Sequence, residues 1–344
     1  MKHILSLGEV LIDLIPSTQL HLGETCYTPY PGGAIANVSV AIARLGGSSR
    51  FIGGVSDDEF GQLLLQVLVD NHVDTLYIRI IKNAPTAIAL VTLYAEGQRH
   101  FTFFRHNTAD SQFQAGDLDW NAWHNAAVCH VGGVLLSTEP ARTATLAAMD
   151  YTRRIGSIVS LDVNVRPALW SSHADIHDTL AKAIQRADIL KLSAEEAMFV
   201  SEQSSPPKDP HDRSWLKFLG EALLARGPRL VMITLGAEGA LLLTASHQVE
   251  VPARSVRPLD TTGAGDAFMG AALYKLVQQG CATPADLLSL SKPDLNNLGN
   301  FASFVAGLSV TSHGGISSFP FIYQVNDFST HQERGKEQAG DMQG

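Results

Sequence analysis

The chain has 344 residues, of which 45% are hydrophobic and 17% charged, so it is long enough for one large α/β domain or two modest ones and too apolar to be disordered throughout. Its 25 basic and 34 acidic residues leave a net charge of −9, which argues against nucleic acid or an anionic membrane as the main partner. The three cysteines are widely spaced and odd in number, which leaves at least one thiol free and favours a reduced compartment.

The N-terminal segment does not resemble a secretion signal, because Glu9 interrupts it early and no small-residue cleavage site follows a long apolar stretch. No apolar run elsewhere approaches the roughly 20 residues that a membrane-spanning helix needs. These observations predict a cytoplasmic protein without a membrane partner.

Along the chain, short aliphatic segments alternate with longer segments of helical periodicity. This βαβ pattern predicts a mostly parallel sheet with helices on both faces, in which ligands bind beyond the carboxyl ends of the strands. Predicted strands are 51–55, 158–163, 230–235 and 248–251, and predicted helices are 34–45, 140–155, 176–187 and 264–277.

Two regions, 8–30 and 87–104, break this alternation. Within the second, two apolar segments flank a Glu96-Gly97 turn, which predicts an antiparallel hairpin. The two regions together would form a small β layer that closes over a substrate, although an ordinary hairpin at the sheet edge explains the pattern equally well. The Pro/Ser-rich segment 203–210 and the polar tail 331–344 are predicted to carry no chemistry.

A first glycine motif precedes the helix predicted at 34–45. Gly32 and Gly33 would let a small polar ligand approach the backbone, and Asn37, one turn into an otherwise apolar helix, offers both a donor and an acceptor. The alternative is a buried asparagine satisfied by a neighbouring loop.

The strongest local motif is Asp260-Thr261-Thr262-Gly263-Ala264-Gly265-Asp266, which opens the helix predicted at 264–277. Glycines before a helix let backbone N–H groups converge where the helix dipole is positive, an arrangement that suits a phosphate. Asp266 beside that anion site suggests a general base that takes a hydroxyl proton during phosphoryl transfer. A plain helix cap with a tight turn remains the alternative. The motif matches neither a P-loop nor a dinucleotide-binding glycine fingerprint.

Together the two glycine motifs resemble the signatures of the PfkB (ribokinase-like) carbohydrate kinases. Four weaker elements resemble that family in the same order: 8–13, 162–167, 191–196 and 234–239. The resemblance covers about residues 3–320 and is strongest to the family branch that phosphorylates fructose. It implies a three-layer α/β/α sandwich with a small β lid from about 13–30 and 87–104, a kinase domain over 1–325 and a polar tail over 326–344.

The resemblance also assigns roles to individual residues. Asp266 is the expected base, and the backbone amides of Gly263, Ala264 and Gly265, together with Arg166, are expected to stabilise the transferring phosphoryl group. The expected sugar-binding residues are Asp13, Gly32, Gly33, Asn37, Phe103, Arg166 and Asp266. The expected nucleotide-binding residues are Lys191, Glu196, Thr234, Gly236, Gly239, Gly263, Gly265 and Ser303.

Two metal ions are implied in the same way. Glu196 is expected to organise Mg²⁺ on the nucleotide. A monovalent cation, potassium, is expected near Asp260, Thr262, Ser309, Ser312 and Gly314. The sequence departs from the family pattern at Ser193 and Ser303, where many relatives have asparagine.

The implied function is transfer of the γ-phosphate of ATP to a ketohexose, D-fructose first, in a homodimer formed through the lid. Ribose, 2-keto-3-deoxygluconate and aminoimidazole riboside are alternative acceptors. A catalytically silent sugar-sensing regulator is an alternative of another class, and a nicotinamide dehydrogenase is disfavoured because its glycine fingerprint is missing.

Overall fold

The computed structural model describes residues 2–17, 26–93, 99–201 and 207–326. Fourteen strands and ten α-helices are assigned there. The strands are β1 (His3–Leu7), β2 (Leu11–Pro16), β3 (Tyr27–Gly32), β4 (Ser49–Ile52), β5 (Gly54–Ser56), β6 (Arg79–Ile81), β7 (Ile88–Leu93), β8 (Arg99–Phe104), β9 (Ala126–Gly132), β10 (Ile158–Asp162), β11 (Ile189–Ser193), β12 (Leu230–Thr234), β13 (Ala240–Leu243) and β14 (Gln248–Val251).

The α-helices are α1 (Ala34–Arg44), α2 (Glu59–Asp70), α3 (Gly133–Leu136), α4 (Ala141–Arg154), α5 (His173–Ile184), α6 (Ala194–Val200), α7 (Arg213–Leu224), α8 (Ala264–Gln278), α9 (Pro284–Leu288) and α10 (Lys292–Ser309). A last helical turn spans 322–326. Among the described residues, no helix combines the length and apolar character that crossing a membrane requires.

The main sheet has eight strands in the order β14-β13-β12-β11-β10-β9-β1-β4. The six strands from β12 to β4 are parallel, and β13 and β14 extend the edge in antiparallel pairing. Every residue of β9 and β10 is buried, as expected for parallel strands covered on both faces.

Two hydrophobic cores cover the two faces of this sheet. Side chains alternate along each strand, so that in β12 Leu230 and Met232 pack into one core and Val231 and Ile233 into the other. Helices α1, α8 and α10 supply the first core, and α4, α5 and α7 supply the second. The predicted α/β/α sandwich is therefore confirmed.

A second sheet of four strands, in the order β3-β2-β7-β8, is formed by the two regions that break the βαβ alternation. Strand β2 pairs in parallel with β7, which pairs in antiparallel fashion with β8. We call these four strands the lid sheet. The turn predicted at Glu96-Gly97 lies outside the described residues, as do residues 203–206 of segment 203–210 and the tail beyond 326.

One predicted strand is wrong. Residues 51–55 form two strands rather than one, because the chain leaves the main sheet at Gly53. Strand β4 pairs with β1, whereas β5 pairs with β6 in a separate two-stranded sheet. The aliphatic run is continuous in sequence, and only the separate pairing partners divide it.

Helices α1 and α8 lie in close contact on the same face of the main sheet. Gly270 of α8 faces α1 so tightly that a Cβ atom there would stand 2.7 Å from the Cβ of Ala41 and 3.1 Å from the carbonyl oxygen of Val38. The missing side chain at this position therefore sets the separation of the two helices.

We predict that Gly270→Ala lowers the free energy of unfolding by about 1–2 kcal/mol. Alanine favours a helix interior by ~1 kcal/mol, but a Cβ 2.7 Å from that of Ala41 overpacks the contact severely, at a cost of about 2–3 kcal/mol. Urea unfolding measures the difference. Gly116→Ala is the control, since its Cβ would meet nothing within 4 Å. A Gly270→Ala protein as stable as wild type would contradict this packing.

Candidate active site

A cleft of about 560 Å³ opens at the carboxyl ends of the parallel strands, between the main sheet and the lid sheet. Loops after β1, β10 and β12 and the junction of β11 with α6 form its floor, the first turns of α1 and α8 form one side, and the lid sheet forms another. Ligands in parallel α/β sheets bind at this edge, where strand ends and helix N-termini meet.

The first turn of α8 projects into this cleft. Gly263 precedes the helix in a left-handed conformation, with φ of 77°, and accepts the Ala267 N–H at 2.8 Å. The first N–H groups of a helix have no acceptors within it, so this end carries partial positive charge. One of the four amides of the turn is engaged, since Ala264 N–H donates to the carbonyl of Thr261 at 3.2 Å.

Asp266 lies in the same turn and receives a hydrogen bond from α1. The Nδ2 of Asn37 donates to its Oδ2 at 2.7 Å. Burial raises the pKa of Asp266 to about 6, an effect that the neighbouring Asp162 strengthens and the Asn37 hydrogen bond and Lys191 oppose. The carboxylate is therefore mostly ionised at pH 7 and still able to take a proton near neutral pH, which is what a general base requires.

A buried ion pair lies under the α8 turn. Lys191, in β11, places its Nζ 3.0 and 3.2 Å from the carboxylate oxygens of Asp162, at the end of β10. Burial opposes the lysine charge, but Asp162, Glu196 and Asp266 outweigh that effect and raise the pKa of Lys191. A Cβ atom on Gly265 would lie 3.1 Å from this Nζ, so a glycine there lets the cation approach the turn.

Arg166 and Glu196 form the far side of the floor. Their Nη1 and Oε1 atoms are 3.8 Å apart, and the arginine side chain keeps 40% of its surface exposed to the cleft. Glu196 also closes a capping box on α6, where its Oε2 accepts the N–H of Ser193 at 2.9 Å. Burial raises the pKa of Glu196 against the opposing effect of Lys191.

The lid sheet contributes both a carboxylate and apolar side chains. Asp13 faces the cleft from β2, and a Cβ atom at Gly32 on β3 would stand 2.2 Å from its Oδ2. A side chain at that position would displace the carboxylate. Leu11, Phe101 and Phe103 also line the cleft from this sheet. Together they place one acidic group within an apolar wall.

The structure brings most of the predicted site residues into this one cleft. The predicted residues that line it are Asp13, Gly33, Asn37, Phe103, Arg166, Lys191, Glu196, Thr234, Gly236, Thr262, Gly263, Ala264, Gly265 and Asp266. Those that do not line it are Gly32, Gly239, Asp260, Ser303, Ser309, Ser312 and Gly314.

Two of the residues outside the cleft, Gly239 and Ser309, have clear structural roles. Gly239 turns the chain between β12 and β13, where a Cβ would lie 2.0 Å from the carbonyl oxygen of Val251. Ser309 donates its hydroxyl to the carbonyl of Ala306. Ser303 is buried along α10, and no described contact links it to the cleft. The nucleotide roles of Gly239 and Ser303 stay predictions.

Asp260 ties the α8 turn to the loop after α10. One oxygen accepts the N–H of Thr262 at 2.8 Å and the other accepts the N–H of Gly314 at 3.0 Å. Ser312 is exposed in that loop. Asp260 thus supports the turn from behind the cleft.

Several polar residues that the structure places in or beside the cleft were not predicted from the sequence, among them Glu9, Asn164 and Asp162. Glu9 and Asn164 line it, and Asp162 holds Lys191. Each follows or ends a buried strand of the main sheet, which is the signal that could have identified them. Asn164 also has a φ of 36°, a conformation that sequence alone does not reveal.

Residues 1–322 match the sequence family described as pfkB family carbohydrate kinase. A relative named Fructokinase-1 from Oryza sativa subsp. japonica is 36% identical over 324 residues, 94% of this chain and 96% of that protein. The solved fructokinase of Xylella fastidiosa with bound ATP is similar at a TM-score of 0.85 and 30% identity, over 96% of this chain and 99% of the other.

A double-mutant fructokinase of Vibrio cholerae, solved with fructose, ADP and potassium ion bound, is similar at a TM-score of 0.82. It shares 33% identity over 95% of this chain and 98% of the other. At this identity and coverage the likeness extends through both the main sheet and the lid sheet.

The raised pKa of Asp266 predicts how stability changes with pH. A carboxyl whose pKa is about 6 in the fold and about 4 in the unfolded chain contributes stability below pH 4 that is lost as pH rises through 6. Asp266→Asn removes this loss. The free energy of unfolding of the variant, relative to that of wild type, should therefore increase by up to ~3 kcal/mol as the pH rises from 4 to 8.

Asp294→Asn is the matched control, because hydrogen bonds from Ser291 lower the pKa of Asp294. The stabilising contribution of Asp294 is present at neutral pH and lost on acidification. The free energy of unfolding of Asp294→Asn should therefore decrease relative to that of wild type as the pH rises. Urea unfolding at several pH values measures both. Parallel pH dependences for the two variants would contradict the assignment.

Proposed function

The chain belongs to the pfkB family of carbohydrate kinases, and from that membership we propose that it transfers the γ-phosphate of ATP to a primary hydroxyl of D-fructose, giving fructose 6-phosphate. The observation that carries this proposal is the position of the Asp266 carboxylate, at the first turn of a helix and within a cleft that also presents Lys191 and Arg166. An acceptor for a hydroxyl proton thus lies beside groups that stabilise negative charge.

In the proposed reaction Asp266 takes the proton from the sugar hydroxyl. The hydroxyl oxygen then forms a bond to the γ-phosphorus as the bond to the bridging oxygen breaks, and ADP leaves with the electron pair. Asn37 holds the carboxylate in place through its 2.7 Å hydrogen bond. The charge that develops on the phosphoryl oxygens faces the amides of the 263–266 turn, with Arg166 as a further donor.

The sugar is proposed to lie between α1 and the lid sheet. Asp13 offers two carboxylate oxygens to sugar hydroxyls, and the backbone near Gly33 and the amide of Asn37 add further polar contacts. The ring of Phe103 covers the apolar side of the sugar. With the sugar bound, the lid sheet would keep water from the γ-phosphate, which favours transfer over hydrolysis.

The nucleotide is proposed to enter from the side of Thr234 and Gly236, which line the same cleft as the α8 turn. Lys191 approaches that turn from below, where its charge would neutralise phosphate oxygens. The fructokinase of Xylella fastidiosa was solved with bound ATP, which supports this nucleotide for the present chain.

Mg²⁺ fits the site as an ion carried by the nucleotide rather than by a cage of protein ligands. Among the residues that the structure describes, no group of three or more His, Cys, Asp or Glu side chains could hold a metal ion. Magnesium usually keeps several waters and takes one or two carboxylates besides the phosphates, and Glu196 supplies a carboxylate here. When bound, the ion neutralises charge on the β- and γ-phosphates.

Potassium is proposed behind the α8 turn, near Asp260 and the backbone of Ser309, Ser312 and Gly314. Both carboxylate oxygens of Asp260 already accept backbone N–H groups, so carbonyl oxygens of the loop would provide most of the ligands. A fructokinase of Vibrio cholerae solved with potassium ion bound supports this proposal.

A homodimer through the lid sheet is proposed because that sheet keeps apolar residues exposed on its outer surface. Tyr27 and Phe104 are 43% and 58% exposed there. Pairing of two lid sheets would cover these rings and leave the cleft-facing side chains in place.

We predict that Asp266→Asn lowers kcat for fructose by about 10²–10⁴-fold, the usual contribution of a general base, while the KM for ATP changes little. Coupled detection of ADP release measures both constants. Asp294→Asn, far from the cleft, should keep wild-type rates. Retained turnover in Asp266→Asn with intact sugar binding would remove the base from the mechanism.

The acceptor itself is tested with wild-type enzyme and a panel of fructose, ribose, 2-keto-3-deoxygluconate and aminoimidazole riboside. We expect kcat/KM to be highest for fructose. A higher value for another sugar would keep the mechanism and change the substrate. Absence of ADP release with all four would instead favour a sugar-sensing regulator.

A further inference from the structure

Glu9 is a buried carboxyl at the junction of the two sheets. It lies between β1 of the main sheet and β2 of the lid sheet, lines the cleft, and is 1% exposed. Its Oε1 accepts the N–H of Ala34 at 2.8 Å and that of Ile35 at 3.5 Å. The carboxyl therefore binds the first two amides of α1.

The other oxygen of Glu9 has no hydrogen-bond partner among the described residues. Two charged groups act on Glu9 from the segment after β8, Arg105 and Asp110, and they pair with each other at 2.5 Å in a fully buried contact. The first turn of α1 carries no acidic residue. Because little positive charge compensates for the lost water, burial raises the pKa of Glu9 to about 7.

A short path leads from Glu9 to the proposed base. The amide of Ala34, held by Glu9, begins α1, and Asn37 follows three residues later in the same turn. The side chain of Asn37 donates to Asp266 at 2.7 Å and is itself 5% exposed, so it has little freedom to compensate for a shift of the helix. Any displacement of the first turn of α1 therefore changes the distance to Asp266.

We propose that Glu9 is a positioning residue whose ionised carboxyl anchors the start of α1 and, through Asn37, holds Asp266 in line with the sugar hydroxyl. This inference rests on the proposed function. A negative charge at a helix N-terminus attracts the helix dipole, and a neutral carboxyl loses most of that attraction. Protonation of Glu9 would thus weaken the positioning of Asp266, although Glu9 itself makes no contact with the substrate.

The test is the pH dependence of kcat/KM for the sugar, from pH 5 to 8.5, with saturating ATP and excess Mg²⁺ in every assay. Wild type should show two ionisations on the acid side, near 6 for Asp266 and near 7 for Glu9. Glu9→Gln should keep only the lower one. Its kcat at pH 8 should fall about fivefold to tenfold, as expected for loss of a charge at a helix end, with an unchanged KM for ATP.

Two further variants make the result decisive. Glu9→Met places no polar group in the buried position and should show the same loss of the upper ionisation if Glu9→Gln folds poorly. Asp294→Asn removes a capping carboxylate from α10, which carries no cleft residue, and should keep both ionisations and wild-type kcat.

Glu9 variants whose pH profile is wild type in shape and merely scaled down would overturn the proposal, because a purely structural role lowers activity equally at every pH. A wild-type profile with a single acid-side ionisation would overturn it without any variant. Failure of the proposed function gives a different result from failure of the Glu9 proposal. In that case wild type does not phosphorylate fructose, and the same profiles are measured with whichever sugar of the panel it accepts.

Discussion

The hydrogen bond from Asn37 to Asp266 is the contact on which the site depends. It joins side chains 229 positions apart in the sequence, at the first turns of two helices that pack directly against each other. Gly270 allows that packing, and the α8 turn presents its amides only because α8 begins at this point. The close approach of α1 and α8 thus brings the proposed base, the amides proposed to bind the phosphoryl group and the segment proposed to bind the sugar into one cleft.

Charge in the cleft is arranged in pairs rather than spread evenly. Asp162 holds Lys191 beneath the α8 turn, and Glu196 lies near Arg166 on the far side. Each pair limits the desolvation cost of its members, yet no cation among the described residues is in direct contact with Asp266 or Glu9, and their pKa values rise to about 6 and about 7. These two carboxyls therefore titrate near neutral pH, where a pH-dependent reaction can use them.

Much of the site could be predicted because its chemistry is concentrated in two short motifs. Glycines beside helix starts and a carboxylate in the first turn have few structural interpretations, so Asn37 and Asp266 stood out in the sequence. Glu9 did not, since one acidic residue in an apolar segment is also typical of a solvated turn. Its burial, and the amides it binds, follow from the junction of two sheets that no local pattern describes.

The amino-acid sequence by itself determined the layered α/β architecture, the order of its main elements and the residues of the α8 turn, because strand and helix periodicity and glycine-rich turns are local properties. Tertiary structure alone decided that β4 and β5 separate, that Asp260, Gly239 and Ser303 lie outside the cleft, and that Asp162 pairs with Lys191. These outcomes depend on which distant segments meet. The solvation of each carboxyl, and therefore its pKa, is set only when these distant segments meet.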